Sequence, residues 1–349
     1  MDSLTQAVLG ASISGAMLGR FHGRKAVVAG AVLATLPDLD VFIRYADPIS
    51  SMTYHRGFSH SLFVLTAFSL LLAALWRGVK PDKRYGFLWL WSALWLTLVT
   101  HPLLDAFTSF GTQLWWPLTP TPASWSSIFI IDPLYTLPLT LGALAALLFG
   151  VGARTQRWLN WGLILSSLYL AWTVGAKHWA EYRALAQLHA NGAPTAEHWS
   201  AAMPFNSLLW RVLTRDDHQH CEMVISLLDR TPSEFVCVEH NHYLTQALPQ
   251  SDQVERLRWF TGDWVRFDPV DDLLVVTDIR LGAAMGLSNF RFVVAEQNLN
   301  DEWTLVSPYR WPGNSGWDLL QPVMKRIYQS NPPLALQDWL KQAQMEAAR

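Results

Sequence analysis

Long uncharged stretches fill the first half of the chain, whereas charged residues become frequent after residue 176. The uncharged half contains the apolar runs Leu4–Gly19, Ala26–Leu36, Phe58–Trp76, Phe87–His101, Ile128–Val151 and Trp158–Ala176. A helix needs about 20 residues to cross the hydrocarbon of a bilayer, so the third, fifth and sixth runs are long enough and the first two are short. Residues 1–176 are therefore predicted to form an all-α, polytopic membrane domain of about six helices.

The second half has the alternating pattern of short strands. Segments rich in Val, Phe and Trp with alternating charges are typical of strands, and they occur at Phe235–His240, Glu255–Phe260, Asp263–Phe267, Leu273–Ile279 and Phe290–Glu296. Helices are predicted at Ala180–Ala190, Trp317–Gln329 and Ala335–Ala347. Residues 177–349 are thus expected to form a small α+β domain, mainly antiparallel, outside the membrane.

The composition agrees with a membrane protein. Of the 349 residues, 51% are hydrophobic and only 15% are charged, which is too apolar for an ordinary soluble protein. The apolar half makes membrane lipids the expected partners. The net charge of −2, without a dense basic patch, argues against nucleic acid as a partner.

Basic residues predict the orientation of the helices, because Lys and Arg concentrate in cytoplasmic connections. They cluster after the first, third and fifth runs, at Arg20–Lys25, Arg77–Arg84 and Arg154–Arg157. On the other side, the connection Pro102–Ser127 contains no Lys or Arg. The N-terminus and the C-terminal domain are therefore both predicted to lie outside the cytoplasm.

Carboxylates and imidazoles gather at the ends of three apolar runs. The second run is followed by two carboxylates, the third begins with two imidazoles, and the fourth ends with one of each: Asp38, Asp40, His55, His60, His101 and Asp105. The predicted topology brings all six to the same membrane face. Singly, such residues are usually helix caps or interfacial boundary residues, but six ionisable groups beside hydrocarbon are costly, and a bound cation explains them. Their oxygen and imidazole atoms suit Zn²⁺, with Mn²⁺ or Fe²⁺ as alternatives.

Four motifs together resemble a known family. Met1–Gln6, Leu36–Asp40, His55–Ser61 and His101–Asp105 are similar to the YdjM family of bacterial inner-membrane proteins, which are described as metal-dependent hydrolases. More remotely, the His and Asp pattern is similar to zinc-dependent phospholipase C and P1 nuclease. The resemblance implies a metal role for the same six residues and a location in the bacterial inner membrane. Together with the orientation predicted from the basic residues, that location puts the C-terminal domain in the periplasm.

The opening motif departs from the family at one position. Gln6 stands where many members have His, and a neutral amide is a poor ligand for a transition metal. The number of bound ions, one or two, therefore stays open.

Three classes of function are consistent with these patterns. The first is a metal-dependent hydrolase acting at the outer membrane face on a phosphodiester or lipid-linked substrate, with Asp40 bridging metals or acting as base and Arg56 holding the substrate's negative charge. The second is a non-enzymatic membrane protein with a structural metal and a partner-binding outer domain. The third is a metal transporter, although transport sites usually lie near the midplane of the membrane.

The C-terminal half contains a second group of imidazoles, His218, His220, His240 and His242. They are interpreted as polar strand ends, with a zinc site between two strands as the alternative. Two cysteines, Cys221 and Cys237, lie beside them and are able to pair in an oxidising compartment.

Overall fold

A computed structural model describes residues 1–282, 288, 290–312, 317–329 and 334–347. The chain divides into two compact units. Unit 1 contains Met1–Ile43, His55–Trp125 and Ile130–Thr173, and unit 2 contains Arg44–Tyr54, Ser126–Phe129 and Val174–Arg349. Two short segments that interrupt unit 1 in sequence therefore belong to unit 2.

Unit 1 is helical. Its helices are α1 (Ser3–His22), α2 (Arg24–Thr35), α4 (Leu62–Val79), α5 (Phe87–Ala106), α6 (Pro133–Phe149) and the first part of α7 (Ala153–Ala190), while α3 (Pro48–Tyr54) lies in unit 2. Two 3-10 helices, Pro37–Phe42 and Phe58–His60, follow α2 and precede α4. Within the described part of the chain, α4, α5 and α7 are long and apolar enough to cross a membrane, and α6 is an apolar helix of 17 residues. The predicted helical membrane region is confirmed, but the predicted count of about six crossings is not.

Backbone contact joins α1 to α2. A Cβ atom added at Gly10 would lie 2.3 Å from the Cβ of Ala34, and one added at Gly30 would lie 2.2 Å from the carbonyl oxygen of Gly10. Glycine is therefore required at both positions, because any side chain would force the two helices apart. The close approach fixes α1 against the α2 segment that leads into Asp38.

The described strands of unit 2 form two antiparallel sheets. The first has the order β1-β2-β3-β4 and the second the order β5-β6-β7-β8. The strands are β1 (Glu197–Ala202), β2 (Leu209–Arg215), β3 (Gln219–Ser226), β4 (Phe235–Glu239), β5 (Val265–Val270), β6 (Leu273–Asp278), β7 (Arg291–Gln297) and β8 (Trp303–Arg310). The helices that accompany them are α8 (Asp252–Thr261), α9 (Trp317–Arg326) and α10 (Leu336–Ala347). A mainly antiparallel α+β arrangement is thus confirmed.

The first sheet is buried on both faces. Trp210 and Met223 pack on one face against Ala180 of α7. Val224 packs on the other face against Val323 of α9. Because successive side chains of a strand point to opposite faces, β2 and β3 are buried at nearly every position and lack the alternation of a half-exposed sheet.

One predicted strand is wrong and one predicted helix is only part of a longer one. Glu255–Phe260 lies inside α8, because Ser251 accepts a hydrogen bond from the Val254 amide at the start of this helix and Gly262 ends it in the left-handed conformation. The predicted helix Ala180–Ala190 is the last part of α7, which continues without a break from residue 153 to residue 190. The strands β1, β2, β3 and β8 were not predicted.

The predicted cysteine pair is confirmed. Cys221 in β3 lies directly opposite Cys237 in β4, and the two form a disulfide. Two of the neighbouring imidazoles contact backbone carbonyl groups: Nε2 of His240 lies 3.0 Å from the carbonyl oxygen of Asp216, and Nε2 of His242 lies 2.8 Å from that of Val265. These contacts agree with structural roles for both imidazoles.

Candidate metal centre

Four side chains from three segments of unit 1 converge at one point. Asp38 lies in the 3-10 helix that follows α2, His60 ends the 3-10 helix that precedes α4, and His101 and Asp105 lie in the last turns of α5. The α5 pair is spaced four residues apart, so both side chains lie on the same helix face. One ligand atom from each residue lies within 4.8 Å of all the others. This buried Asp/His/His/Asp group is able to bind a divalent metal.

The hydrogen bonds of His101 orient its imidazole toward the group. Nδ1 lies 2.6 Å from the carbonyl oxygen of Ala34. A carbonyl oxygen only accepts, so Nδ1 carries the proton and donates it. The other nitrogen, Nε2, is left with a lone pair that points into the group.

A serine fixes the tautomer of His60. The Ser59 hydroxyl donates to Oδ2 of Asp40 at 2.7 Å, because a carboxylate accepts only. Its oxygen therefore accepts the hydrogen bond from Nδ1 of His60, at 2.9 Å. Nε2 of His60 then carries a lone pair and faces Nε2 of His101 at 3.2 Å. Two lone pairs held this close repel each other unless a cation lies beside them.

The separations fit a tetrahedral ion. Nε2 of His60 lies 3.4 Å from Oδ1 of Asp38 and 3.3 Å from Oδ2 of Asp105, and the corresponding distances from Nε2 of His101 are 3.3 Å and 3.5 Å. A tetrahedron whose corners lie about 2.0–2.1 Å from its centre, as zinc ligands do, has edges of about 3.3–3.4 Å. Five of the six separations among the four ligand atoms therefore match a zinc-sized tetrahedron, and the sixth, between Asp38 and Asp105, is within 4.8 Å.

Asp105 is shared between the group and its surroundings. Its Oδ1 contacts the amino group of Met1 and accepts a hydrogen bond from Nε2 of Gln6 at 3.0 Å. Its Oδ2 is buried and accepts no hydrogen bond by normal geometry from any described residue, although Nε of Arg56 lies 3.2 Å away. An orphaned buried carboxylate oxygen is costly unless a cation or donor meets it. Gln6 thus supports a ligand through its amide nitrogen.

Asp40 and His55 lie beside the converging group and outside it. Oδ1 of Asp40 lies 2.8 Å from Nδ1 of His55, and Oδ2 accepts the Arg56 amide at 2.9 Å as well as the Ser59 hydroxyl. The predicted ligands therefore divide into four whose atoms converge and two that are paired with each other. Asp40 holds a ligand in place, since it anchors the serine that orients His60.

Arg56 is held in a buried position next to the group. Its Nη1 donates to Oγ1 of Thr108 at 3.3 Å, and its guanidinium lies 5.1 Å from the ring centre of Phe110. The backbone of Arg56 is left-handed, with a φ of 60°. This conformation is uncommon for residues other than glycine. In this conformation the Arg56 amide donates its hydrogen bond to Asp40.

The electrostatics of the group favour added positive charge. Burial alone would raise the pKa of Asp38, but hydrogen bonding to His101 and His60 outweighs burial and holds this pKa well below its usual range. Burial alone would lower the pKa of His60, but its contacts with Asp105 and Asp38 raise it. Without a metal ion, the cluster therefore attracts a proton to the place where a cation fits.

Ser59 was missed among the predicted site residues. Its signal is its position inside the motif His55–Ser61, immediately before a predicted ligand. The contact with the carbonyl oxygen of Ala34 could not be predicted in this way, because every residue type has a backbone carbonyl group.

Residues 1–180 match the family model described as YdjM inner membrane protein. The chain is 30% identical over 139 residues to the uncharacterized protein YfhP of Bacillus subtilis (strain 168), covering 38% of this chain and 41% of that protein. It is 36% identical over 89 residues to the inner membrane protein YbcI of Escherichia coli (strain K12), covering 25% of this chain and 50% of that protein.

The chain thus spans half or less of the length of these curated relatives. No solved structure matches the chain, and the remote similarity to phospholipase C and P1 nuclease stays a prediction. The family model, however, covers more than half of the chain and all four converging side chains. The chain belongs to the YdjM family of inner membrane proteins.

Proposed function

We propose that this protein is a membrane-bound, metal-dependent hydrolase that acts on a phosphodiester or a lipid-linked phosphate ester. The observation that supports the proposal is the convergence of two imidazole lone pairs and two carboxylate oxygens beside the buried guanidinium of Arg56. Such a site combines a place for a metal with a fixed positive charge for an anionic substrate.

Asp38, His60, His101 and Asp105 would hold the cation, with zinc as the first expectation and manganese or iron as alternatives. A divalent cation bound there supplies Lewis-acid chemistry to an oxygen of the substrate. The side chain of Asp38 is 24% exposed, whereas those of the other three are 0% exposed. Substrate would therefore approach the group past Asp38.

The neighbouring residues supply the acid–base and binding functions of the proposed reaction. His55 is 25% exposed and Asp40 holds its Nδ1, which leaves Nε2 of His55 free to take a proton from an attacking water. Arg56 would bind the negative charge of the phosphate ester. In this proposal Asp40 orients His55 and, through Ser59, also orients His60.

The proposed location is the outer face of the inner membrane, with the C-terminal unit in the periplasm. The alternating basic connections support this orientation. The Cys221–Cys237 disulfide supports it independently, since disulfides persist in oxidising compartments and are rare in the cytosol.

A structural metal is the second candidate function. Four protein ligands complete a tetrahedron by themselves, as structural zinc sites do, whereas catalytic sites keep one position for water or substrate. A metal transporter is less well supported, because the four residues lie at the ends of α2, α4 and α5 and not midway along them.

One experiment separates the two candidates. The full chain is purified in detergent, its metal content is measured, and hydrolysis of bis(p-nitrophenyl) phosphate and of phosphatidylglycerol vesicles is followed. If the protein is a hydrolase, the Arg56→Gln and His55→Ala variants should retain metal at saturating concentration and lose hydrolysis. His218→Ala, an exposed imidazole of unit 2, is the matched control and should leave both measurements unchanged. Stoichiometric metal without hydrolysis of either probe would assign the metal a structural role.

A further inference from the structure

A cavity lies in unit 1, at the ends of α2, α4 and α5 that are opposite to the metal group formed by Asp38, His60, His101 and Asp105. It has a volume of about 720 Å³ and lies between α2 and α4, with α1 and α5 behind it. This volume falls within the range of natural ligand sites, about 300–1,000 Å³. Its mouth is formed where α2 begins and where α4 ends, whereas the metal group lies where α2 ends and α4 begins.

The walls of this cleft are apolar. They are formed by side chains from four helices, among them Leu18, Ala29, Val32, Leu33, Leu72 and Leu94. Val32 is 57% exposed and Trp76 at the mouth is 42% exposed. Ser14 and His22 also line the cleft, but the remainder of its wall is apolar and suits a hydrocarbon chain.

The mouth of the cleft is cationic. Lys25, Lys80 and Arg84 line it together with a single carboxylate, Asp82. Arg84 already binds that carboxylate, with Nη2 2.6 Å from Oδ2. The ammonium of Lys80 lies 5.4 Å from the ring centre of Trp76. Two lysines at the rim of an apolar cleft, flanked by an indole, match the arrangement of phosphate above acyl chain in a lipid.

We propose that this cleft binds an anionic phospholipid, whose phosphate lies between Lys25 and Lys80 and whose acyl chain lies along α2. The distance along α2 from Lys25 to Leu33 is about 12 Å, which is enough to cover a substantial part of an acyl chain. The proposal does not rest on hydrolase activity, since none of the lining residues belongs to the metal group.

The test measures lipid retained by the full chain after extraction from vesicles of equal parts phosphatidylglycerol and phosphatidylcholine, using native mass spectrometry. Wild-type protein should retain phosphatidylglycerol preferentially. Each lysine near a headgroup is expected to contribute about fivefold to binding, so Lys25→Gln with Lys80→Gln should lower the preference by roughly 25-fold. The matched control is Lys83→Gln with Arg154→Gln, which removes the same charge from exposed positions that do not line the cleft.

A second pair of variants tests the acyl chain separately from the charge. Ala29→Phe places a ring in the cleft and should reduce the retained lipid of either kind, whereas Val28→Phe adds the same ring to an exposed position of α2 outside it. Three outcomes would overturn the proposal: no preference between the two lipids, equal effects of the two charge pairs, or equal effects of the two phenylalanines. Metal content is measured on every variant and should not change, so failure here is distinguishable from failure of the metal site.

Discussion

Nδ1 of His101 lies 2.6 Å from the carbonyl oxygen of Ala34, a residue 67 positions earlier in the chain. This contact selects the tautomer in which Nδ1 carries the proton, so that Nε2 directs a lone pair into the metal group. Because the acceptor is a backbone atom, the tautomer depends on the path of α2 and is unaffected by which side chain stands at residue 34. The metal group is therefore built on helix packing as much as on its own side chains.

His101→Ala should abolish stoichiometric metal binding. The substitution removes a converging nitrogen and leaves Asp105 without its neighbour on α5. The loss of affinity should exceed the roughly 10–100-fold that outer residues cause. Metal content of the purified protein is the measurement, with His218→Ala as control and with a monodisperse elution profile required of both. Full occupancy in His101→Ala would place the metal elsewhere in the chain.

Ser59→Ala should weaken metal binding without abolishing it. The hydroxyl between His60 and Asp40 is lost, so His60 no longer has a fixed tautomer, and affinity should fall roughly 10–100-fold. Titration against a competing chelator measures the change. Ser109→Ala, in the same unit but outside this chain of hydrogen bonds, should behave as wild type; an equal effect of the two alanines would remove Ser59 from the site.

Gly10→Ala should destabilise the membrane unit. Its new methyl group would meet the Cβ of Ala34 at 2.3 Å, and overpacking of this kind costs about 1–3 kcal/mol. Gly78 in α4 has no atom within 4 Å of an added Cβ, so Gly78→Ala should leave the midpoint unchanged or raise it slightly. Thermal unfolding in detergent compares the two. Similar midpoints would show that α1 and α2 are not in backbone contact.

The residues of the metal group were predictable from the sequence, whereas the hydrogen bonds that orient them were not. The four converging residues follow from motifs at the ends of apolar runs, because topology alone brings such ends together. Asp40 and His55 pair with each other because of the turn at Arg56 and the orientation of the Ser59 side chain. Neither feature can be predicted from the spacing of residues in the sequence.

The fold of unit 2 was less predictable for two physical reasons. Strands such as β2 and β3 are buried on both faces, so they lack the alternation by which a strand is recognised. The charged residues after Lys177 do not interrupt α7, which continues to Ala190 and was therefore only partly predicted, since a helix tolerates charges wherever one side faces solvent. In α8, the cap at Ser251 was a stronger signal than the Val, Trp and Phe that suggested a strand.

Asp229 should make unit 2 sensitive to acid. Burial alone would raise its pKa, but two hydrogen bonds of 2.7 Å from Arg326 outweigh burial and hold the pKa below its ordinary value. A carboxyl with a lowered folded-state pKa stabilises the fold at higher pH and loses this contribution as the pH falls below about 4. Hydrogen exchange of β3 peptides in the full chain measures the loss.

Asp229→Asn provides the control for that measurement. It should cost roughly 3–5 kcal/mol at neutral pH, because Arg326 is left buried without its charge partner. As the pH falls, the same variant should lose less of its protection from hydrogen exchange in β3, since the Asp229 carboxyl no longer titrates. Parallel acid profiles for the two proteins would assign the sensitivity to other carboxylates.

The cysteines offer a test of location. In freshly isolated membranes Cys221 and Cys237 should both resist thiol labelling and become reactive only after reduction, because the disulfide joins β3 to β4. Reporter fusions after Lys80 and Arg154 should score cytoplasmic and a fusion after Thr119 external. Free thiols without reductant would contradict the disulfide, and an external score at Lys80 would contradict the orientation.

The contact between Gly10 and Gly30 has a kinetic consequence for ion exchange. It locks α1 to α2, while Gln6 of α1 and the Ala34 carbonyl of α2 both hold the end of α5. Three of the four converging residues, Asp38, His101 and Asp105, are therefore attached to one block of helices. His60 reaches them from a separate 3-10 helix, which is held to the block by the hydrogen bonds of Ser59 and of the Arg56 amide to Asp40. The dissociation of His60 from a bound ion should accordingly limit the rate at which the ion is released. The dissociation rate constant of the ion should therefore change more with substitutions around Phe58–His60 than with substitutions elsewhere in the block.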